Sequence, residues 1–340
     1  MEKFIIETQN IDRKNILDIL NKYGLVIIPR ILNQTEIENM NNGMWDFLEH
    51  ITQKFEIPIK RNKKETWNSF NQLYPVKSMI IQHWSMGHSQ HVWDIRQNPK
   101  IVDIFAKIWD CNPEDLLTSF DASSFHFPPE ETGLSFETDE KHKYWYHTDQ
   151  SFKRNDFECV QSWITGFDVN EGDATLAFLE NSHNFHKDFA IKFNAKKKDD
   201  WYQLNDEHLK FYIDHCGCDI KKVECPAGSM VLWDSRLIHC GIEPSPERKK
   251  PNFRNVSYIC MMPRALSDSE NIKKKIQAFE ELKTTTHWAT KAKLFHQLPF
   301  IKEKEMPNIT PISPPILTEL GKKLAGYTFN KSVIKTSVMN

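Results

Sequence analysis

A histidine and an aspartate two positions apart are the residues of this sequence best placed to hold a metal ion. They are His147 and Asp149, and they follow the aromatic run 144–146, which is typical of a buried strand. Side chains two positions apart on a strand point to the same face, so an imidazole and a carboxylate would lie side by side. A third ligand must come from elsewhere, and His239, which follows the apolar run 229–233, is the best candidate.

Two histidines and one carboxylate form the facial triad of non-heme Fe(II) oxygenases, which leaves half of the coordination sphere open. The same donors also bind Ni, Co or Zn. The pattern alone is weak, because the chain has 14 histidines and a second His-x-Asp triplet at 186–188. That triplet follows the polar stretch 180–185 and is expected on a loop, so the context favours His147 and Asp149.

Apolar periodicity predicts the elements that position these residues. Helices are predicted over 11–22, from Thr35 with Glu38 as its capping-box partner, over 98–109, over 268–282 and near 316–324. Strands are predicted over 23–29, 116–127, 144–149, 159–169, 174–179, 221–224, 229–233 and 253–262. The insertion 190–218, expected to be a loop followed by a helix, is either an active-site lid or a surface excursion.

Short strands that alternate with turns predict a sandwich or barrel, so the fold class is mainly β with flanking helices. We expect one domain over 1–340, because the chain has no internal repeat and no long linker. This domain would comprise a helical N-terminal support over 1–115, a β core over about 116–264 and a C-terminal helical extension over 265–340.

The composition is that of an ordinary soluble protein. The 340 residues are 39% hydrophobic and 26% charged, and a net charge of -2 gives no global attraction to nucleic acid or to an anionic membrane. Nucleic acid is therefore disfavoured as a partner, although lysines 196–198 could form a local patch. No apolar run is long enough for a transmembrane helix, and residues 1–8 lack signal-peptide features. Seven irregularly spaced cysteines fit reduced thiols, so we expect a cytoplasmic protein without a membrane partner.

A 2-oxo acid that chelates the metal would need a cation for its far carboxylate, and arginine is the best bidentate partner. Arg254 lies on the strand predicted after His239, among aliphatic and aromatic residues that would half-bury it. A half-buried arginine needs an anion, which is either the oxo acid or an internal aspartate or glutamate. Arg248 is a rival for this role, but it lies in a polar loop, so Arg254 is preferred.

Residues 144–264 resemble the phytanoyl-CoA dioxygenase (PhyH-like) family of Fe(II)/2-oxoglutarate-dependent oxygenases. The residues that carry the resemblance are the stretch Tyr146 to Gln150, the turn Asn181 to His183, the stretch Ala227 to His239, and Arg254. The resemblance implies a double-stranded β-helix core, which is a cupin-like jelly roll. It also implies that His147, Asp149 and His239 bind Fe(II) and that Arg254 binds 2-oxoglutarate.

Two further positions, Tyr144 and Gln161, match residues that often line the 2-oxoglutarate pocket of such enzymes. The chain also departs from the family pattern. Gly241 stands where a serine or threonine often follows the distal histidine, and the stretch from His239 to Arg254 is longer than usual. The first departure removes a hydroxyl that helps to hold the oxo acid.

The activity implied by the resemblance is hydroxylation of a C–H bond with O2, because the Asp149 carboxylate stands where related halogenases have a small residue. We expect a small-molecule or acyl substrate, which the family name does not identify. Two alternatives stay open: a hydroxylase or demethylase of a macromolecule, and a non-catalytic cupin-like binding protein. The sequence predicts no oligomeric state.

Overall fold

A computed structural model describes residues 1–75, 80–133, 145–299 and 306–328, which form two antiparallel sheets with flanking helices. The strands are β1 (Leu25–Ile28), β2 (Ile80–Ile81), β3 (Leu116–Thr118), β4 (Ser123–His126), β5 (His147–Thr148), β6 (Val160–Thr165), β7 (Thr175–Leu179), β8 (Tyr202–Gln203), β9 (Ile220–Lys222), β10 (Met230–Asp234), β11 (His239–Ile242) and β12 (Arg254–Pro263). The helices are α1 (Arg13–Tyr23), α2 (Gln34–Ile51), α3 (Gln90–Arg96), α4 (Pro99–Trp109), α5 (Pro129–Thr132), α6 (His186–Lys192), α7 (Asp206–Lys210), α8 (Ser269–Glu280) and α9 (Glu319–Ala325).

The larger sheet has the strand order β1-β10-β6-β12-β4-β2, and β3 also pairs with β12. The smaller sheet has the order β8-β5-β11-β7-β9. Strands β1 and β2 come from the first 115 residues of the chain, so this region contributes to the main sheet as well as to the helical layer. The mainly antiparallel sheets with flanking helices confirm the predicted fold class at this level.

The larger sheet is buried on both faces. Val26 and Ile28 of β1 pack in one cluster with residues of α1 and α4, whereas Leu25 and Ile27 pack in another with Phe178 of the smaller sheet. Successive side chains of a strand point to opposite faces, so a strand between two apolar layers needs no polar alternation. This explains why β1 is a continuous apolar run.

The N-cap of helix α2 lies two residues before the predicted one, so the prediction of Thr35 and Glu38 was wrong. Asn33 is the N-cap: its side chain accepts from the N–H of Glu36, and the Glu36 carboxylate accepts from the N–H of Asn33. A capping residue followed three positions later by glutamate occurs twice here, at Asn33 and at Thr35. Asn33 has the extended backbone of a cap, whereas Thr35 lies inside the helix.

No helix in the described ranges has the length and apolar character needed to cross a bilayer.

Other elements differ from the predicted pattern. The strand predicted over 116–127 is divided into β3 and β4 by the irregular segment 119–122, and both parts pair with β12. The short strands β2 and β8 were not predicted, and β11 was expected only as the strand that would carry His239. Within the insertion 190–218, helix α7 continues into a π-helix at Phe211–His215.

Candidate metal centre

The smaller sheet brings the three predicted ligands together. Strands β5 and β11 pair so that His147 lies directly opposite His239, and the centroids of the two imidazole rings are 4.3 Å apart. Asp149 follows β5, and its Oδ2 lies 3.6 Å from His147 Nε2 and 3.4 Å from His239 Nε2. One ligand atom from each residue lies within 4.8 Å of the other two, so the three side chains could hold one ion.

Main-chain hydrogen bonds orient both histidines for metal binding. His147 Nδ1 lies 3.1 Å from the carbonyl oxygen of Trp145, and His239 Nδ1 lies 2.9 Å from that of Leu237. A ring nitrogen that faces a carbonyl must carry the proton, so the neutral ring keeps its lone pair on Nε2. Burial, followed by the charge of His239, lowers the pKa of His147 and favours this neutral form.

The carboxylate of the cluster is held in its ionised form. Burial by itself would raise the pKa of Asp149, but its contacts with His147 and His239 outweigh burial and hold it well below its ordinary value. Gln161, which was predicted to line the cosubstrate pocket, lines the same cavity as the cluster and donates from Nε2 to Asp149 Oδ2 at 3.0 Å. The Gln161 amide therefore fixes the orientation of the carboxylate.

Two contacts outside the cluster fix the histidine strands. The Trp145 indole stacks on the His147 ring, with centroids 4.5 Å apart and planes 8° from parallel, and its Nε1 donates to the carbonyl of Gly241 at 3.0 Å. Ser182, in the turn that contributed to the family resemblance, accepts from the N–H of Ile238 at 2.9 Å. The first contact ties β5 to β11, and the second fixes the residue before His239.

Arg254 is 5% exposed at the start of β12. Its guanidinium donates to the carbonyl of Ala174 at 3.2 Å and lies 5.5 Å from the centre of the Trp163 ring. Burial raises the pKa of Tyr258, and the nearby charge of Arg254 opposes this rise. Tyr258 lines the cavity at the cluster, whereas Arg254 is not among the lining residues. No carboxylate forms an ion pair with Arg254 in the described part of the chain, so the internal salt bridge considered as an alternative is not found there.

The rival Arg248 has two acidic partners. Its guanidinium forms ion pairs with Glu130 at 2.7 Å and with Asp173 at 3.0 Å. Burial opposes the charge of Arg248, but these two carboxylates raise its pKa above its ordinary value. Arg248 thus serves the structure of its loop and leaves Arg254 as the better candidate for an anion. The remaining predicted residue, Tyr144, lies outside the described residues.

A cavity of about 550 Å³ opens next to the cluster, which is the size of many small-molecule sites. Part of its wall comes from the insertion, through Asp200 and Trp201, so this segment is more than a surface excursion. Another part comes from the C-terminal extension, through the segment 286–296. Sequence reasoning left the insertion open as a possible active-site lid and missed the C-terminal wall. The one available signal was the concentration of aromatic and histidine side chains between 286 and 296, which follow no helical or strand period.

Asp121, which was also missed, lines the same cavity from the irregular segment between β3 and β4. Its Oδ1 accepts from the N–H of Ala122 at 2.7 Å, and Arg96 donates to its main-chain carbonyl at 2.6 Å. Burial raises the pKa of the Asp121 carboxyl to about 7, and the negative charge of Asp149 acts in the same direction. A carboxyl group close to neutral pKa therefore faces the space next to the candidate metal site.

Comparison with known proteins places the chain in a family. A model of the phytanoyl-CoA dioxygenase (PhyH) family matches residues 20–243. The chain belongs to this family. The matched span contains His147, Asp149 and His239, whereas Arg254 lies beyond it. Membership supports an oxidoreductase of the dioxygenase type that uses iron and 2-oxoglutarate.

Individual relatives are distant. Ava biosynthesis cluster protein O of Aspergillus versicolor is 24% identical over 287 residues, which cover 80% of this chain and 86% of the relative. A crystal structure from Salmonella typhimurium LT2 is similar with a TM-score of 0.61 at 13% identity, covering 95% of this chain and 86% of that one. The GlcNAc Inducible Gene 2 protein (GIG2) of Candida albicans is similar with a TM-score of 0.57 at 11% identity, covering 82% and 70%. These likenesses show a shared fold.

Proposed function

We propose that this protein is an Fe(II)- and 2-oxoglutarate-dependent dioxygenase that hydroxylates a C–H bond of a small-molecule or acyl substrate. The observation that carries the proposal is the convergence of His147, Asp149 and His239, with both imidazole Nδ1 atoms bound to main-chain carbonyls and both Nε2 atoms directed at the carboxylate. Two imidazoles and one carboxylate fit Fe(II) and leave positions for a chelating oxo acid and O2. The Asp149 carboxylate occupies a position that a halide would need, which supports hydroxylation.

When bound, Fe(II) and 2-oxoglutarate supply the activation of O2 and the oxidation of the substrate. The protein positions the metal ligands and shields the site. The Gln161 amide holds the Asp149 carboxylate in place, and the Trp145 stack holds the His147 ring. Arg254, with Tyr258 nearby, would receive the far carboxylate of 2-oxoglutarate, because a buried guanidinium that has no acidic partner among the described residues favours an anion.

The sheets, the cavity and the net charge support the proposed fold and substrate class. The two antiparallel sheets fit a double-stranded β-helix that encloses the site, within a single domain over 1–340. The cavity of about 550 Å³ supports a small-molecule substrate, as does the name of the Aspergillus versicolor relative, which refers to a biosynthesis cluster. The charge of the chain, at -2, does not favour nucleic acid.

The experiment that tests this proposal is an anaerobic titration of the purified protein with Fe(II) and 2-oxoglutarate. A visible metal-to-ligand charge-transfer band is expected in the wild type, because a chelated 2-oxo acid and Fe(II) produce one. The His239→Ala variant should show no band. If the folded wild type gives no band, the site does not assemble as proposed and a non-catalytic binding protein becomes the better interpretation.

A further inference from the structure

One acidic side chain of the cavity has no cation on its carboxylate within the described residues. This is Asp121, whose carboxylate accepts one main-chain hydrogen bond, while Arg96 binds only its carbonyl. The two other carboxylates of the cavity have functions already: Asp149 belongs to the candidate metal site, and Asp200 is paired with Arg154. Partial burial of a carboxylate without a paired cation costs free energy. Such a destabilising arrangement is common in ligand-binding sites.

The wall around this carboxylate is largely aromatic and apolar. Trp201 is 41% exposed, and its ring lies 6.0 Å from the ring of His147. Leu294, from the C-terminal segment of the wall, is 43% exposed. Exposed apolar side chains at a cavity mouth offer a surface to the apolar body of a ligand, and aromatic faces also attract cations.

We propose that the substrate is a protonated amine joined to an apolar, ring-sized body, with its ammonium group on the Asp121 carboxylate and its body against Trp201. This inference rests on the proposed function, because it narrows the substrate class of the same site. A strongly anionic substrate, such as an acyl-CoA thioester, is disfavoured. No described cation pairs with the Asp121 carboxylate, which would repel an anion, and Lys293 is the single lysine or arginine among the described lining residues.

The test compares three ligands that share one body and differ in charge: phenylpropylamine, phenylpropanol and phenylpropionate. Isothermal titration calorimetry measures each of them against the anaerobic protein loaded with Fe(II) and 2-oxoglutarate. An ammonium–carboxylate hydrogen bond in a partly buried site predicts that the amine binds about ten- to a hundredfold more tightly than the alcohol. The acid should bind most weakly of the three.

Two variants assign this preference to a residue. Asp121→Asn keeps the shape of the side chain and removes its charge, so it should reduce the affinity for phenylpropylamine to that for phenylpropanol. Asp188→Asn removes the same charge from an exposed position on α6 and should retain the preference. Circular dichroism of both variants checks that they fold.

The absorption spectrum of each sample separates this inference from the proposed function. A charge-transfer band with equal affinities for the three ligands, or without binding of the amine, would overturn the amine proposal and leave the iron site intact. An amine preference that depends on Asp121, without a band, would support the cation site and refute the oxygenase. The wild-type comparison alone decides the amine proposal if Asp121→Asn does not fold.

Discussion

Replacing Arg254 with methionine removes the proposed anchor of 2-oxoglutarate and keeps much of the volume of the side chain. The wild-type guanidinium contacts the carbonyl of Ala174 and the face of Trp163. No described carboxylate pairs with it, so the variant leaves no internal acid without a partner. The main loss should therefore fall on an anion that binds from the cavity.

The loss of 2-oxoglutarate affinity can be estimated from the energy of one guanidinium–carboxylate hydrogen bond. A hydrogen bond between a buried guanidinium and a carboxylate contributes about 1.5–3 kcal/mol. This corresponds to an increase of about ten- to a hundredfold in the Kd of 2-oxoglutarate for Arg254→Met. The loss of the contact with the Trp163 ring would lower the free energy of unfolding by roughly 0.5–1 kcal/mol without affecting the ligand directly.

The assay is an anaerobic titration of the Fe(II)-loaded variant with 2-oxoglutarate, in which the charge-transfer band reports occupancy. Two arginine or lysine variants serve as controls. Arg248→Met breaks ion pairs to Glu130 and Asp173 and should lower Tm with little change in the Kd of 2-oxoglutarate. Lys293→Met removes the rival cation of the cavity wall. An unchanged Kd in Arg254→Met, or a larger change in Lys293→Met, would refute the assignment of Arg254.

Three further changes test the surroundings of the site. Trp145→Phe keeps a stacking ring but loses the bond to Gly241, so Fe(II) affinity measured against a competing chelator should fall about two- to tenfold. Ser182→Ala leaves the buried N–H of Ile238 unpaired, which should lower the free energy of unfolding in urea by about 1–3 kcal/mol. Asp121→Asn should raise Tm at neutral pH. The folded-state pKa of about 7 lies above the reference value of 3.8, so the wild type loses stability as pH rises between these values and the variant does not.

Each of these three predictions has its own contradicting result. Equal Fe(II) affinity in Trp145→Phe would mean that the stack alone holds the histidine. For the serine, Ser162→Ala is a matched control: its hydroxyl donates to the carbonyl of Ile259, so its loss leaves no N–H unpaired and should cost less. A Tm difference between Asp121→Asn and the wild type that stays constant from pH 4 to 7 would show that folding does not raise the pKa of this carboxyl.

The local pattern of apolar residues predicted the long apolar strands and helices well, because the spacing of their buried side chains follows the period of the element. Strands β6, β10 and β12 and helices α1, α4 and α8 lie close to their predicted ranges. The short strands β2 and β8 have two residues each, and β11 contains Gly241, so their extended state depends on pairing with neighbours instead of on propensity. Such pairing joins residues far apart in the sequence and is not visible in a local window.

The same distinction applies to the site. The three candidate ligands were predicted because two of them lie two positions apart in a predicted strand and the third matches a family pattern. Asp121 and Trp201 were missed because an irregular segment between two strands and an insertion reach the cavity only through the path of the whole chain. The C-terminal segment 286–296 was missed for the same reason: it returns over the site after helix α8, and its residues show no periodicity that would predict burial.

The second His-x-Asp triplet, at 186–188, shows that the sequence pattern alone does not specify a metal site. His186 begins helix α6, where residues two positions apart point to different sides, so Asp188 is exposed while His186 is buried against Phe152. His186 also uses Nε2, the nitrogen that a ligand of the candidate site keeps for the metal, to contact the carbonyl of Ser151 at 3.2 Å. At both His147 and His239 the contact is instead made by Nδ1, to the carbonyl two residues earlier. The segment that leads into each strand therefore does more than place the histidine: its carbonyl selects the tautomer that can bind an ion.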